Sequence, residues 1–176
     1  MFPKTLVVFA LSAMSLFAQD AAKLKAEFLA NFDDTAKKIV SLAEAVPQGK
    51  YTWRPASGVR SVSEVYMHIT GANFMIPTMM GAKMPADLKL APDSEKTITA
   101  KDQIVPLLKR AMEHTRQAIE TAMDTPDKPA KLFGRDSTNA GVALLLVTHM
   151  HEHLGQSIAY ARSNGVVPPW SAGGRE

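Results

Sequence analysis

Between Leu144 and Gln156 the chain reads LLLVTHMHEHLGQ, which places three of its five histidines at positions 149, 151 and 153. Imidazole can ligate a metal or carry a proton near neutral pH, so the spacing matters. A helix turns about 100° per residue, which sets His149 and His153 about 40° apart and aims His151 elsewhere. The cluster is therefore an i, i+4 pair with a bystander. Two imidazoles at that spacing can converge on one ion, as they do in H-E-x-x-H zinc sites. Here the order is H-x-x-x-H, and Glu152 falls on a different face from a metalloprotease base. The plainer alternative is a pair of core or boundary histidines satisfied by hydrogen bonds. A third ligand is needed to choose between the two.

The composition limits where that ligand can come from. Cysteine is absent, which excludes disulfides, thiolate zinc sites and a lipoprotein anchor and leaves nitrogen and oxygen donors. With 176 residues, 46% hydrophobic and 21% charged, the chain suits one globular domain with a sizeable core. Twenty basic residues against seventeen acidic ones give a net charge of +3. They are interspersed and form no basic run, so no nucleic-acid partner is expected. A homodimer is left open.

The first eighteen residues read as a secretory signal peptide rather than as part of the fold. Lys4 precedes an apolar run from Leu6 to Phe17, and Ala18 stands before polar Gln19. The run is too short for a comfortable membrane span, so no stable anchor is expected once it is cleaved after Ala18. An uncleaved N-terminal anchor is the alternative. Residues 19–176 then form the mature domain, periplasmic or secreted.

The elements that must position the histidines follow from periodicity. From Ala21 to Val46, Leu24, Phe28, Phe32, Ile39, Ala43 and Val46 trace an amphipathic helix that Pro47 and Gly49 end. The SVSE stretch at Ser61–Glu64 is a capping box and opens a second helix through at least Phe74. His68 lies on it beside the apolar stripe of Val65, Ile69 and Ala72. The segment from Gly81 to Ile98, rich in Pro, Lys and Asp, reads as a long surface connection. TAKD at Thr99–Asp102 resembles another capping box, and a third helix follows, with Pro106 a possible kink and His114 at its flank. After a loop from Thr125 to Arg135, Ser137 or Thr138 can cap a fourth helix to about Ser163, closed by Asn164 and Gly165. That helix is apolar nearly all round and should be the most buried of the four. Nothing alternates like a strand. The expectation is an all-α chain: a four-helix bundle with a long connection between its second and third helices.

Bundles build metal sites from side chains that project inward from facing helices, so His68 is the candidate third ligand for His149 and His153. Three imidazoles with open positions suit zinc, nickel or iron with water completing the shell, and the residues do not choose among these metals. Gln156, one turn beyond His153, can hydrogen-bond a ligand imidazole or a bound water. Trp53 and Arg54 could line the pocket, though a loop Trp covering a bundle end more often packs. Met67, Met75, Met79 and Met80 read as gap fillers rather than soft ligands. Tyr160 reads as a core residue with its hydroxyl satisfied.

WRPASGVRSVSEVYMHITGANF, with a W-R-P loop before a capping Ser and a His on the next helix, and HMHEHLGQ on the last helix together resemble the DinB-like family of metal-binding four-helix bundles. The resemblance spans about Asp20 to Pro169. It implies that His68, His149 and His153 are the metal-binding histidines and that Gly155 and Gln156 match the family's G-Q dipeptide. Leu154 stands where Arg commonly precedes that dipeptide. Some members of the family are thiol-dependent transferases or isomerases in which a divalent metal activates a small thiol, and others have no assigned reaction. An exported protein would not meet the cytosolic thiol pool, which brings activated water forward. The resemblance thus implies a metal-dependent hydrolase or transferase acting on a small molecule, with a non-catalytic metal-binding or stress-response protein as the alternative. A helical interaction module with structural histidines is the third class.

Overall fold

The computed structural model describes the backbone of residues 4–173 and the side chains of residues 21–173. In chain order the elements are α1 (Lys4–Ala45), α2 (Val62–Met75), the one-turn α3 (Ser94–Thr97), α4 (Lys101–Ala122), strands β1 (Pro129–Leu132) and β2 (Arg135–Thr138), and α5 (Asn139–Ser163). The chain is thus mostly helical. The backbone of the expected leader continues α1 from Lys4, while the side chains around Ala18 lie outside the described residues. Among the described residues no helix is long and apolar enough to cross a membrane.

α1 packs on α4 and α5, and α2 packs on the same two helices, so each long helix lies between two others. Phe32, Ile39 and Leu42 of α1 meet Tyr66 and Ile69 of α2, Ile104 and Leu108 of α4, and Val142 and Leu146 of α5 in one buried cluster. Removing such side chains from water contributes about 1.5–3 kcal/mol each. The helix ends follow local chemistry. Ser61 Oγ accepts from the Glu64 N–H at 3.3 Å and Glu64 Oε2 accepts from the Ser61 N–H at 2.6 Å, the expected capping box. Thr138 Oγ1 accepts from the Gly141 N–H at 3.2 Å, and Gly165, at φ +75°, turns the chain away after α5.

Four expectations need correction. TAKD is not a capping box: α4 starts one residue late for it, with Ala100 at the N-cap and no side-chain cap. Gln48 supplies the missing acceptor, its Oε1 taking the Lys101 N–H at 2.6 Å. Secondly, β1 and β2 pair antiparallel where no strand was expected. The turn residues Phe133 and Gly134 both have positive φ, +48° and +83°, as a tight two-residue hairpin requires. Phe-Gly is not a usual signature of such a turn, and four-residue strands are too short to alternate visibly. Thirdly, α2 and not α5 is the most buried helix: ten of its fourteen residues are buried, against ten of twenty-five in α5. Leu144, one of the apolar residues of α5, is 54% exposed. Finally, the connection from Gly81 to Ile98 is not all surface, because it forms α3, packs on α2 and buries Ser94.

Candidate metal centre

The loop before α2 is tied at both ends. The Tyr51 hydroxyl donates to the Ala43 carbonyl at 2.7 Å, and the Val62 and Ser63 N–H groups donate back to Trp53 and Tyr51. This fixes the start of α2 and therefore the height of His68, two turns further on. The i, i+4 pair enters from α5, where Val142 and Leu146, on the same face and fully buried, lock the helix rotation.

The three rings meet edge to edge. His149 Nε2 lies 3.2 Å from His68 Nε2 and 3.1 Å from His153 Nε2. His153 is buried and the other two are half-buried. The opposite nitrogens identify the tautomers. His68 Nδ1–H donates to Glu95 Oε2 at 3.2 Å, and His153 Nδ1–H donates to Gln156 Oε1 at 2.9 Å. Both therefore present an Nε2 lone pair toward His149. A proton on His149 Nε2 can be donated to only one of the two neighbours, and with that proton on Nδ1 instead three lone pairs face one another. A cation satisfies all three at once. With ligand bonds of about 2.0–2.1 Å, one ion could span both separations from His149, and the three ligand atoms all lie within 4.8 Å of one another. Three histidines are thus close enough to hold one metal ion, and the donor set fits a divalent one.

Burial, then the neighbouring His153 and His68, pushes His149 down to about 4. Burial, then the charge of Arg60, also lowers His68, with Glu95 opposing. Unfolded, an imidazole titrates near about 6.5. Between those values the unfolded chain binds a proton that folded His149 does not, so stability falls as pH drops from about 6.5 toward 4. Urea midpoints of chelator-treated protein should decline over that range, with a shallower decline in His149→Leu. Equal slopes would show that His149 does not titrate as placed.

Gln156 stands where the sequence put it, and its Nε2 donates to the Tyr160 hydroxyl at 3.2 Å, which satisfies that core Tyr. Trp53 packs edge-on against Tyr160, with ring centroids 5.4 Å apart. Arg54 holds the loop through the Val59 carbonyl and Glu64. His151 points away, its Nδ1–H to the Val147 carbonyl and its Nε2 3.1 Å from Thr35 Oγ1 on α1. His114 lies against Phe74, outside the trio. Met67 and Met80 are buried, while Met75 is 42% exposed.

Sequence reasoning missed Glu95 and Arg60. Glu95 Oε1 accepts from Arg60 Nε at 2.7 Å while its other oxygen holds His68. A one-turn helix is too short to show periodicity, and nothing else marks Glu95 within its charged connection.

The chain is mostly helical and gathers from two helices three histidines that could hold a metal ion, two of the rings oriented by an oxygen acceptor. The sequence matches the DinB family model over residues 14–176, and the chain belongs to that family. Two solved structures share the fold. A DinB-like protein from Bacillus cereus is 19% identical with a TM-score of 0.70, covering 81% of this chain and 93% of that one. A DinB-like protein from Bacillus subtilis is 21% identical with a TM-score of 0.63, covering 80% and 93%. No curated protein matches the sequence.

Proposed function

We propose that the long helices form a four-helix bundle in which His68, His149 and His153 hold one divalent ion, zinc, nickel or iron, in an exported hydrolase or transferase acting on a small molecule. The observation that carries this reading is the convergence of three Nε2 atoms, two of them on rings turned inward by Glu95 and Gln156. Three protein ligands rather than four is the catalytic pattern. A bound divalent ion with open positions supplies the Lewis acidity that lets water or a thiol lose its proton near neutral pH. The chain does the rest. Burial keeps His149 neutral and able to ligate, Glu95 and Gln156 hold two ring orientations, and the His68 side chain, 27% exposed, leaves the centre open to solvent on one side.

Metal analysis of the purified protein tests this directly: about one ion per chain is expected. A folded protein that takes up no zinc, nickel or iron would return the histidines to a structural role.

Export rests on the leader, Lys4 followed by a short apolar run ending at Ala18. Mass spectrometry of protein recovered from outside the cytoplasm should find Gln19 as the first residue. An intact N-terminus would count against export by cleavage, and would restore a cytosolic thiol to equal standing with water.

A further inference from the structure

An open cleft of about 570 Å³ lies between the loop before α2 and α3. Two of the residues lining it also hold the trio, Glu95 behind His68 and Gln156 behind His153. Three cations, Arg54, Arg60 and Lys96, line it against two carboxylates, Glu64 and Glu95. The carboxylates are both engaged: Glu64 by the Ser61 N–H and Arg54, Glu95 by Arg60 and His68. The cations retain free donors. Arg60 donates through Nε, and among the described residues neither of its terminal nitrogens has a protein acceptor. Lys96, on the exposed side of α3, has no ion-pair partner among them. Arg54 is fastened through both terminal nitrogens and shapes the wall instead.

We propose that this cleft anchors an anionic group of the substrate: a small molecule carrying a carboxylate or phosphate docks on Arg60 and Lys96, with its reactive end at the histidine trio. The inference rests on the metal-centre reading given under Proposed function. A guanidinium edge beside an ammonium is a strong oxyanion receptor, because charge-assisted N–H···O bonds are about twice as strong as neutral ones. Arg60 is linked to the centre through Glu95, which accepts from Arg60 Nε at 2.7 Å and from His68 Nδ1–H at 3.2 Å. A remote clamp of this kind contributes binding energy that orients the reacting end. Carboxylate and phosphate share the chemistry, and the probes below separate them.

The test uses cobalt-loaded protein, whose visible bands report ligation at the centre. It is titrated with acetohydroxamate, with succinic monohydroxamate and with the hydroxamate of 3-phosphonopropanoic acid. An anionic tail should tighten binding about tenfold over acetohydroxamate. The larger gain of the two tails identifies the natural group as carboxylate or phosphate. The preference should survive in Lys96→Arg, fall to about twofold in Lys96→Gln and in Arg60→Gln, and weaken in high salt. Equal affinity for the three probes would overturn the proposal, as would a preference that both neutral variants keep. Failure of the protein to develop cobalt bands would instead overturn the metal-centre reading, and the anion site with it.

Discussion

Replacing His149 or His153 with Ala is expected to lower metal affinity by more than about a hundredfold, whereas His151→Ala leaves it unchanged. The loss should exceed the about 10–100-fold typical of removing an outer partner, because an inner ligand of only three is lost. Geometry separates the three imidazoles. His149 and His153 meet through Nε2 atoms 3.1 Å apart, while His151 lies against Thr35 of α1 with its other nitrogen on its own helix backbone. His68→Ala should behave like the pair, since its Nε2 reaches His149 from a different helix. Competition titrations with a chromophoric chelator would measure all four variants, with circular dichroism confirming that each is folded. Equal loss from His151→Ala would refute the pairing, and undiminished affinity in His68→Ala would reduce the centre to a two-histidine surface site.

The parts of this centre that could be read from the sequence are those written in local geometry. The His149 and His153 pair is visible because four residues overshoot a helical turn by only about 40°, and Val142 and Leu146 are buried on the same face. The Ser61–Glu64 box is visible because both of its hydrogen bonds close within four residues. The capping of α4 could not be read, since Gln48 reaches Lys101 across 53 positions of sequence. The hairpin escaped notice for a different reason: its strands are four residues long, and its positive-φ turn is occupied by Phe133, a residue that seldom adopts that conformation. The burial of α2 is a tertiary effect. It lies between α4 and α5 with α3 against it, so even Ser63, Thr70 and Asn73 are covered, and their polarity made the helix look more exposed than it is.

Glu95→Ala is expected to weaken metal binding about 10–100-fold without changing the stoichiometry at saturation. The side chain bridges two groups, accepting from Arg60 Nε at 2.7 Å and from His68 Nδ1–H at 3.2 Å. As an ion pair it contributes little to folding: the Arg60 and Glu95 side chains are 41% and 32% exposed, and such pairs are worth about 0–1 kcal/mol. Its effect must therefore come through His68. The carboxylate holds the ring with Nε2 facing the other two histidines and raises the basicity of that nitrogen, so its loss frees the ring to rotate toward solvent. Glu95→Gln keeps an acceptor but not the charge, and should fall between wild type and Ala. Arg60→Gln should reproduce part of the loss by releasing Glu95, and the double variant Arg60→Gln with Glu95→Ala should be no weaker than Glu95→Ala alone, because both act on one chain of contacts. Calorimetric titration with zinc and urea unfolding of the same four proteins would separate affinity from stability. Unchanged zinc affinity in Glu95→Ala would show that His68 is oriented by its helix alone. Losses that add in the double variant would show that Arg60 acts on the centre by a route other than Glu95.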